Sequence, residues 1–164
     1  MLTHRPAEER DLATICRFPQ SEDELFFMFP KASYPLTPEQ LRDAIAQRSD
    51  ATVVELDGEA VAFADCYRRE PGGPLFIGNA IVSPAARGRG VGRYLIETMI
   101  ELAFSRHGAA EVHVSCFNGN AAGLLLYARL GFRPYAEEER QDRSGNRVAL
   151  IHMQRIRIKE RESR

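Results

Sequence analysis

Phe76-Ile77-Gly78-Asn79-Ala80-Ile81-Val82-Ser83-Pro84-Ala85-Ala86-Arg87-Gly88-Arg89-Gly90-Val91-Gly92-Arg93 is the stretch that decides how this chain is read. An apolar run meets a Ser-Pro turn, and three glycines then alternate with arginines. Beyond them Val91, Leu95, Met99 and Leu102 recur at helical spacing. A strand therefore feeds a tight turn that opens directly into a helix. The first turn of a helix leaves its backbone N–H groups unpaired and carries about half a positive charge. Glycines let such a backbone approach a ligand without Cβ atoms in the way, and arginines add forked anion recognition. The turn is suited to a phosphate or a pyrophosphate; a glycine-rich turn of purely structural use is the plainer alternative.

Two common phosphate motifs do not fit. No Lys-Ser or Lys-Thr follows the glycines, so this is not a P-loop. The dinucleotide fingerprint G-x-G-x-x-G fails because Arg93 stands where its third glycine belongs. What is left, Arg87-Gly88-Arg89-Gly90-Val91-Gly92, is a shortened R-x-x-G-x-G.

Working outward, the chain alternates in type. Leu2 to Arg5 can form a first strand, and Leu12, Ile15 and Cys16 mark a short helix stopped by Pro19. Ser21-Glu22-Asp23-Glu24 reads as a capping box before Leu25 to Phe29, and Thr37-Pro38-Glu39-Gln40 as a second helix start, with its helix ending near Arg48. Strands over 52–56 and 59–67 flank Asp57-Gly58, a type I′ hairpin signal. The helix after the Gly-rich turn is expected from about Gly90 to Arg106, with Gly108 ending it. A strand over 111–117, a helix over 121–130 closed by Gly131, and strands over 133–141 and 147–156 complete the order.

The 164 residues are expected to form one domain over 1–158, with 159–164 a frayed tail. A net charge of −1 removes the footprint of a nucleic-acid binder. Cys16, Cys66 and Cys116 lack any C-x-x-C spacing, so neither disulfides nor a zinc site is expected, and no metal. No apolar run is long enough to span a membrane and no signal core stands at the N-terminus, so the expected location is cytoplasmic.

A second motif, Asn120-Ala121-Ala122-Gly123-Leu124-Leu125-Leu126-Tyr127-Ala128-Arg129-Leu130-Gly131-Phe132, resembles the block N-x-x-A-x-x-L-Y-x-x-x-G-F, with Gly123 in the usual Ala place. Together with the Gly-rich turn it makes the chain similar to the GNAT superfamily of N-acetyltransferases, over nearly its whole length. The resemblance implies an α/β (mixed α+β) fold: a mostly antiparallel, twisted sheet with splayed central strands and flanking helices.

The resemblance also implies acetyl-CoA as co-substrate and a primary amine, free or on a lysine-containing peptide, as acceptor. Gly88, Gly90, Val91, Gly92 and Arg93 would hold the pyrophosphate through main-chain amides, helped by Arg87 and Arg89. The strand of Ile81 and Val82 would receive the pantetheine arm as an added strand, and Asn120 would bond that arm or serve only as a helix cap. Tyr127 would protonate the departing sulfur; outside the motif it would read as a half-buried helix tyrosine.

A base is harder to name. In the ribosomal-protein branch a Glu lies five residues before the Asn; here Ser115 does, and a hydroxyl could at most orient water or substrate. Glu70, Glu101 and His113 are candidates by residue type alone, and His113 also reads as a packed strand histidine. Phe26, Phe27, Tyr34 and Asn79 are the expected acceptor contacts; ordinary core packing explains the phenylalanines equally well. A non-catalytic acyl-CoA sensor is the competing function, and either a monomer or a homodimer is compatible.

Overall fold

A computed structural model describes residues 1–157; the tail expected to fray at 159–164 lies outside them. Among these residues the order is β1 (Leu2–Pro6), α1 (Leu12–Ile15), α2 (Glu22–Met28), α3 (Pro38–Ala46), β2 (Ser49–Leu56), β3 (Glu59–Tyr67), β4 (Leu75–Val82), α4 (Val91–Glu101), β5 (Glu111–Phe117), α5 (Ala121–Arg129), β6 (Arg133–Gln141) and β7 (Arg147–Ile156). The strands form one sheet in the order β1-β2-β3-β4-β5-β7-β6. Every neighbouring pair is antiparallel except β4–β5.

Local chemistry accounts for most of these boundaries. Ser21 Oγ accepts the Glu24 N–H at 3.2 Å and Thr37 Oγ1 the Gln40 N–H at 3.4 Å, capping α2 and α3. Neither the capping box expected of Ser21 and Glu24 nor one from Thr37 and Gln40 closes: Glu24 turns to Arg87, and Gln40 turns to the loop before it. The Gln40 amide brackets that loop, accepting from Ser33 N–H and donating to Ser33 O. Asp57 and Gly58 sit at φ 51° and 86°, the two positive values that a type I′ turn requires. The helix expected to reach Arg106 keeps its α pitch only to Glu101. Its last turn, Leu102–Arg106, widens so that His107 N–H reaches Leu102 O at 3.2 Å. The Ser105 hydroxyl bonds back to Glu101 O at 2.6 Å, competing for the carbonyl that an α pitch would use.

Two cores flank the sheet. Val54, Ala64, Leu75, Ile77, Val112 and Val114 pack with Leu95, Ile96 and Met99 of α4. Val53, Phe63 and Ile81 pack on the opposite face with Leu12, Leu25 and Leu41 from α1–α3. Strict alternation would send Ile81 to the same face as Leu75 and Ile77. It does not, because β4 carries one extra residue between its Phe63↔Ile81 and Asp65↔Gly78 pairs. Asn79 supplies that bulge at φ 53°, a left-handed conformation that Asn tolerates better than most residues. Beyond the bulge Ala80 and Val82 turn toward α4 and Ile81 away from it.

Asn79 is therefore a buried scaffold residue. Its Nδ2 donates to Asp65 Oδ2 at 2.9 Å, while Arg48 Nη1 donates to Oδ1 at 3.1 Å. Asp65 is 0% exposed, and burial pushes its carboxyl up to about 6 against the pull of Arg48 and Asn79. The folded state holds this proton more tightly than the unfolded chain. The stability it contributes is full below pH 3.8 and is lost as pH rises through about 6. At about 1.4 kcal/mol per unit, the loss is about 3 kcal/mol. In Asp65→Asn, urea unfolding between pH 4 and 6.5 should lack that decrement relative to the parent. Parallel pH profiles for the two proteins would refute it.

Candidate active site

The site begins where β4 and β5 part. They pair only at Leu75↔Val112 and Phe76↔His113. Past that point β5 continues on β7 as far as Phe117, and its β4-facing edge is open. The gap widens into a cleft of about 380 Å³. Its walls are Ala80, Ile81 and Val82 of β4, Gly92, Leu95 and Ile96 of α4, Asn120 with Ala122, Gly123, Leu126 and Tyr127 of α5, and Glu24, Phe27 and Met28 of α2.

The Gly-rich turn leads into the N-terminus of α4. Gly88 and Gly90 adopt φ 79° and 76°, which any larger residue would resist. The first hydrogen bond of the helix runs from Tyr94 N–H to Gly90 O at 3.1 Å, and no side chain caps it. The N–H groups of Val91, Gly92 and Arg93 thus have no intrahelical acceptor. A Cβ on Gly92 would lie 3.3 Å from Leu126 and 3.7 Å from Val82, so glycine permits the close packing of α4 on β4 and α5. Arg87 lines the cleft; its Nε donates to Val82 O at 3.3 Å and its Nη2 to Glu24 Oε1 at 2.5 Å. Arg93 points along its own helix to Glu97 at 3.0 Å.

Asn120 caps α5 and stands on the cleft wall. Its Oδ1 accepts the Gly123 N–H at 3.1 Å as a helix cap, and its side chain also lines the cleft. Gly123 explains its departure from Ala: a Cβ there would lie 2.7 Å from Asn120 Nδ2 and 3.0 Å from Cys116 Sγ. Tyr127 stands at the cleft with its ring edge-on to Phe132 at 5.7 Å. Burial holds its phenol above the ordinary value. The Cys116 thiol beside it is pushed up to about 11 by the same desolvation, the reverse of what a nucleophilic cysteine needs.

Of the expected acceptor contacts only Phe27 lines the cleft. Phe26 stacks on Phe117 at 4.4 Å in a small cluster with Leu150. Tyr34 is 45% exposed and borders a separate shallow depression with Glu22 and Arg143. Asn79 is committed to Asp65. Ser115 faces away from the α4 side, its Oγ 2.7 Å from His152 Nδ1, and His152 Nε2 lies 3.0 Å from Glu138 Oε1. His113 is engaged at both nitrogens, by Tyr135 and Glu111, each at 2.9 Å. Glu24 belongs to the stretch 22–34, where sequence sets carboxylates beside aromatics suited to a cationic acceptor, whereas nothing in the sequence singles out His152. The alternation of β7 could have suggested which face His152 takes, but not its partner across the sheet.

Among the described residues no helix is long and apolar enough to cross a membrane, and no group of three or more acidic, His or Cys side chains is placed to hold a metal.

Comparison with known proteins agrees with this geometry. The chain is 32% identical over 90 residues to the L-2,4-diaminobutyric acid acetyltransferase of Nocardia farcinica, covering 54% of this chain and 46% of that protein. The matched region thus spans less than half the length of that relative. A GCN5-related N-acetyltransferase from Kribbella flavida superposes with a TM-score of 0.76 at 29% identity, covering 94% of this chain and 97% of that one. A Salmonella typhimurium acetyltransferase solved with its cofactor acetyl-CoA has a TM-score of 0.74 at 21% identity, covering 100% and 98%. The profile of the acetyltransferase (GNAT) family matches residues 14–132. With that match over most of its length, and with this sheet and its parted central strands, the chain belongs to the acetyltransferase (GNAT) family.

Proposed function

We propose that this protein transfers the acetyl group of acetyl-CoA directly to a primary amine. One observation carries the reading: a single cleft joins an uncapped helix N-terminus, an open strand edge and Tyr127. The diphosphate of coenzyme A fits the N–H groups of Val91 to Arg93 with Arg87 beside them, since no acceptor among the described residues satisfies those donors. The unpaired edges past Phe76 and His113 can take an amide-rich arm as a short added strand. That path leads to Asn120 and Tyr127.

Tyr127 is the proposed general acid, giving its proton to the sulfur as the C–S bond breaks. Direct transfer is favoured because the one cysteine in the neighbourhood, Cys116, is buried and kept protonated. Small diamino acids and lysine side chains are the acceptors proposed. The diaminobutyrate specificity named for the Nocardia relative supports the first, and Glu24 beside Phe27 supplies the acidic and aromatic surface that suits a cationic amine with an apolar stem.

The test is thiol release from acetyl-CoA with L-2,4-diaminobutyrate, L-lysine and a lysine-containing peptide. Amine-dependent release with at least one is expected. Tight binding of coenzyme A with no release from any of the three would favour a sensor over an enzyme.

A further inference from the structure

An acetyl acceptor has a problem that the cleft as described does not solve. An amine of ordinary pKa near 10.4 is about 0.04% unprotonated at pH 7, so a group must take its proton before it can attack. Tyr127 is needed as a proton donor, and His113 lies where β4 and β5 are still paired, short of the gap. On the sheet face opposite α4, three side chains from three adjacent strands stand in line. Ser115 of β5 lies directly across from His152 of β7, and His152 lies beside Glu138 of β6. We infer that Ser115, His152 and Glu138 form a proton relay that deprotonates the acceptor ammonium, an inference that rests on the acetyl-transfer reading above.

The hydrogen-bond polarity follows from the groups themselves. Hydrogen bonding to Arg140 at 3.0 Å holds the Glu138 carboxyl below its usual range, so it is ionised and can only accept. It takes the Nε2 proton of His152. The relay uses the Nε2–H tautomer, with the lone pair on Nδ1 and the Ser115 hydroxyl donating to it. The same arrangement leaves the Ser115 oxygen free to accept from a third group. An ammonium there passes a proton to Oγ as the hydroxyl proton moves to Nδ1, leaving a neutral amine and an imidazolium opposed by Glu138. The amine nitrogen then forms the N–C bond and the C–S bond breaks. Tyr127 protonates the thiolate and is reprotonated by the second proton shed from nitrogen; the imidazolium proton leaves to solvent.

Position supports the role as much as chemistry does. Ser115 is the second residue beyond His113, the last residue of β5 paired with β4, so it sits where the two strands begin to part. Two residues further along the same face, Phe117 packs against Phe27 with ring centroids 6.4 Å apart, and Phe27 lines the cleft. Phe27 is thus shared between the cleft wall and the aromatic cluster that borders the relay on β5. His152 is buried enough to be held in place, with 13% of its side chain exposed, and the groups that face it are Ser115, Glu138 and the Tyr135 ring at 6.1 Å. Glu111 and Arg140 each lie one partner further out, on His113 and on Glu138.

Ser115 is the proposed contact to the amine, while His152 and Glu138 act through it. The experiment measures kcat/KM for whichever of the three acceptors is turned over fastest, from pH 7 to pH 9.5, in the full-length protein. His152→Gln is expected to lose about 10²-fold at pH 7. The loss should shrink to within a few-fold at pH 9.5, where about a tenth of the amine is already free. The KM for acetyl-CoA should not move. Ser115→Ala should show the same pH-dependent deficit, and Ser115→Thr, which keeps the hydroxyl, should recover most of it. A deficit that is equal at every pH, or no deficit in either variant, overturns the relay while leaving acetyl transfer intact. An acetyl group trapped on Ser115 also overturns it, because the serine would then be a nucleophile. If the parent protein turns over none of the three acceptors, acetyl transfer itself fails, and the relay with it.

Discussion

Arg87→Glu should weaken coenzyme A binding by about 10²–10³-fold, read by titration calorimetry at low salt, while leaving the fold intact. Arg87 is the one arginine of the Gly-rich turn that lines the cleft. A forked, charge-assisted contact to a phosphate contributes about 1.5–3 kcal/mol, and that is lost. A carboxylate in its place then repels the diphosphate, bringing the total to about 3–4 kcal/mol. Stability is the control. The Arg87–Glu24 pair is 46% and 30% exposed, and exposed pairs contribute under about 1 kcal/mol. The repulsive part should fade with salt, since charges at an open mouth are screened. Glu24→Gln should move the other way, because Arg87 would no longer be shared with Glu24 at 2.5 Å. Unchanged affinity in Arg87→Glu would place the diphosphate elsewhere.

How much of this could be read from sequence depends on the range of the interaction concerned. Turns and caps are local, so Asp57-Gly58, the Ser21 and Thr37 caps and Gly131 all stand where the residues put them. The Gly-rich turn is local too, and the resemblance added the splay of β4 from β5, which the structure contains. What escaped was set across the sheet. Asn79 looked like a substrate contact because its strand position was visible, whereas the bulge it creates and its bond to Asp65 depend on register with β3. Phe26 and Phe27 are adjacent in one apolar run, and only tertiary packing sends the first onto Phe117 and the second into the cleft. Ser115 was singled out without its partner for the same reason: His152 lies 37 residues away and meets it only through β5–β7 pairing.

Tyr127→Phe is expected to lower kcat by about 10²–10⁴-fold with acetyl-CoA affinity unchanged. The ring packs on Phe132 and its hydroxyl has no hydrogen-bond partner among the described residues, so removing the oxygen leaves no buried group unsatisfied. Burial bears on the chemistry in two opposing ways. It raises the phenol above 10, which by itself makes proton donation harder. It also raises a thiol in the same surroundings, as Cys116 shows at about 11, so the departing thiolate becomes a stronger base. The gap between donor and acceptor is thereby kept from widening by the full shift of either. A phenol held above its ordinary value also remains protonated through pH 9, so no fall in kcat from Tyr127 ionisation should appear below that point. Full turnover by Tyr127→Phe would remove the residue from the mechanism, and the proton for the thiolate would then have to come from solvent entering the cleft.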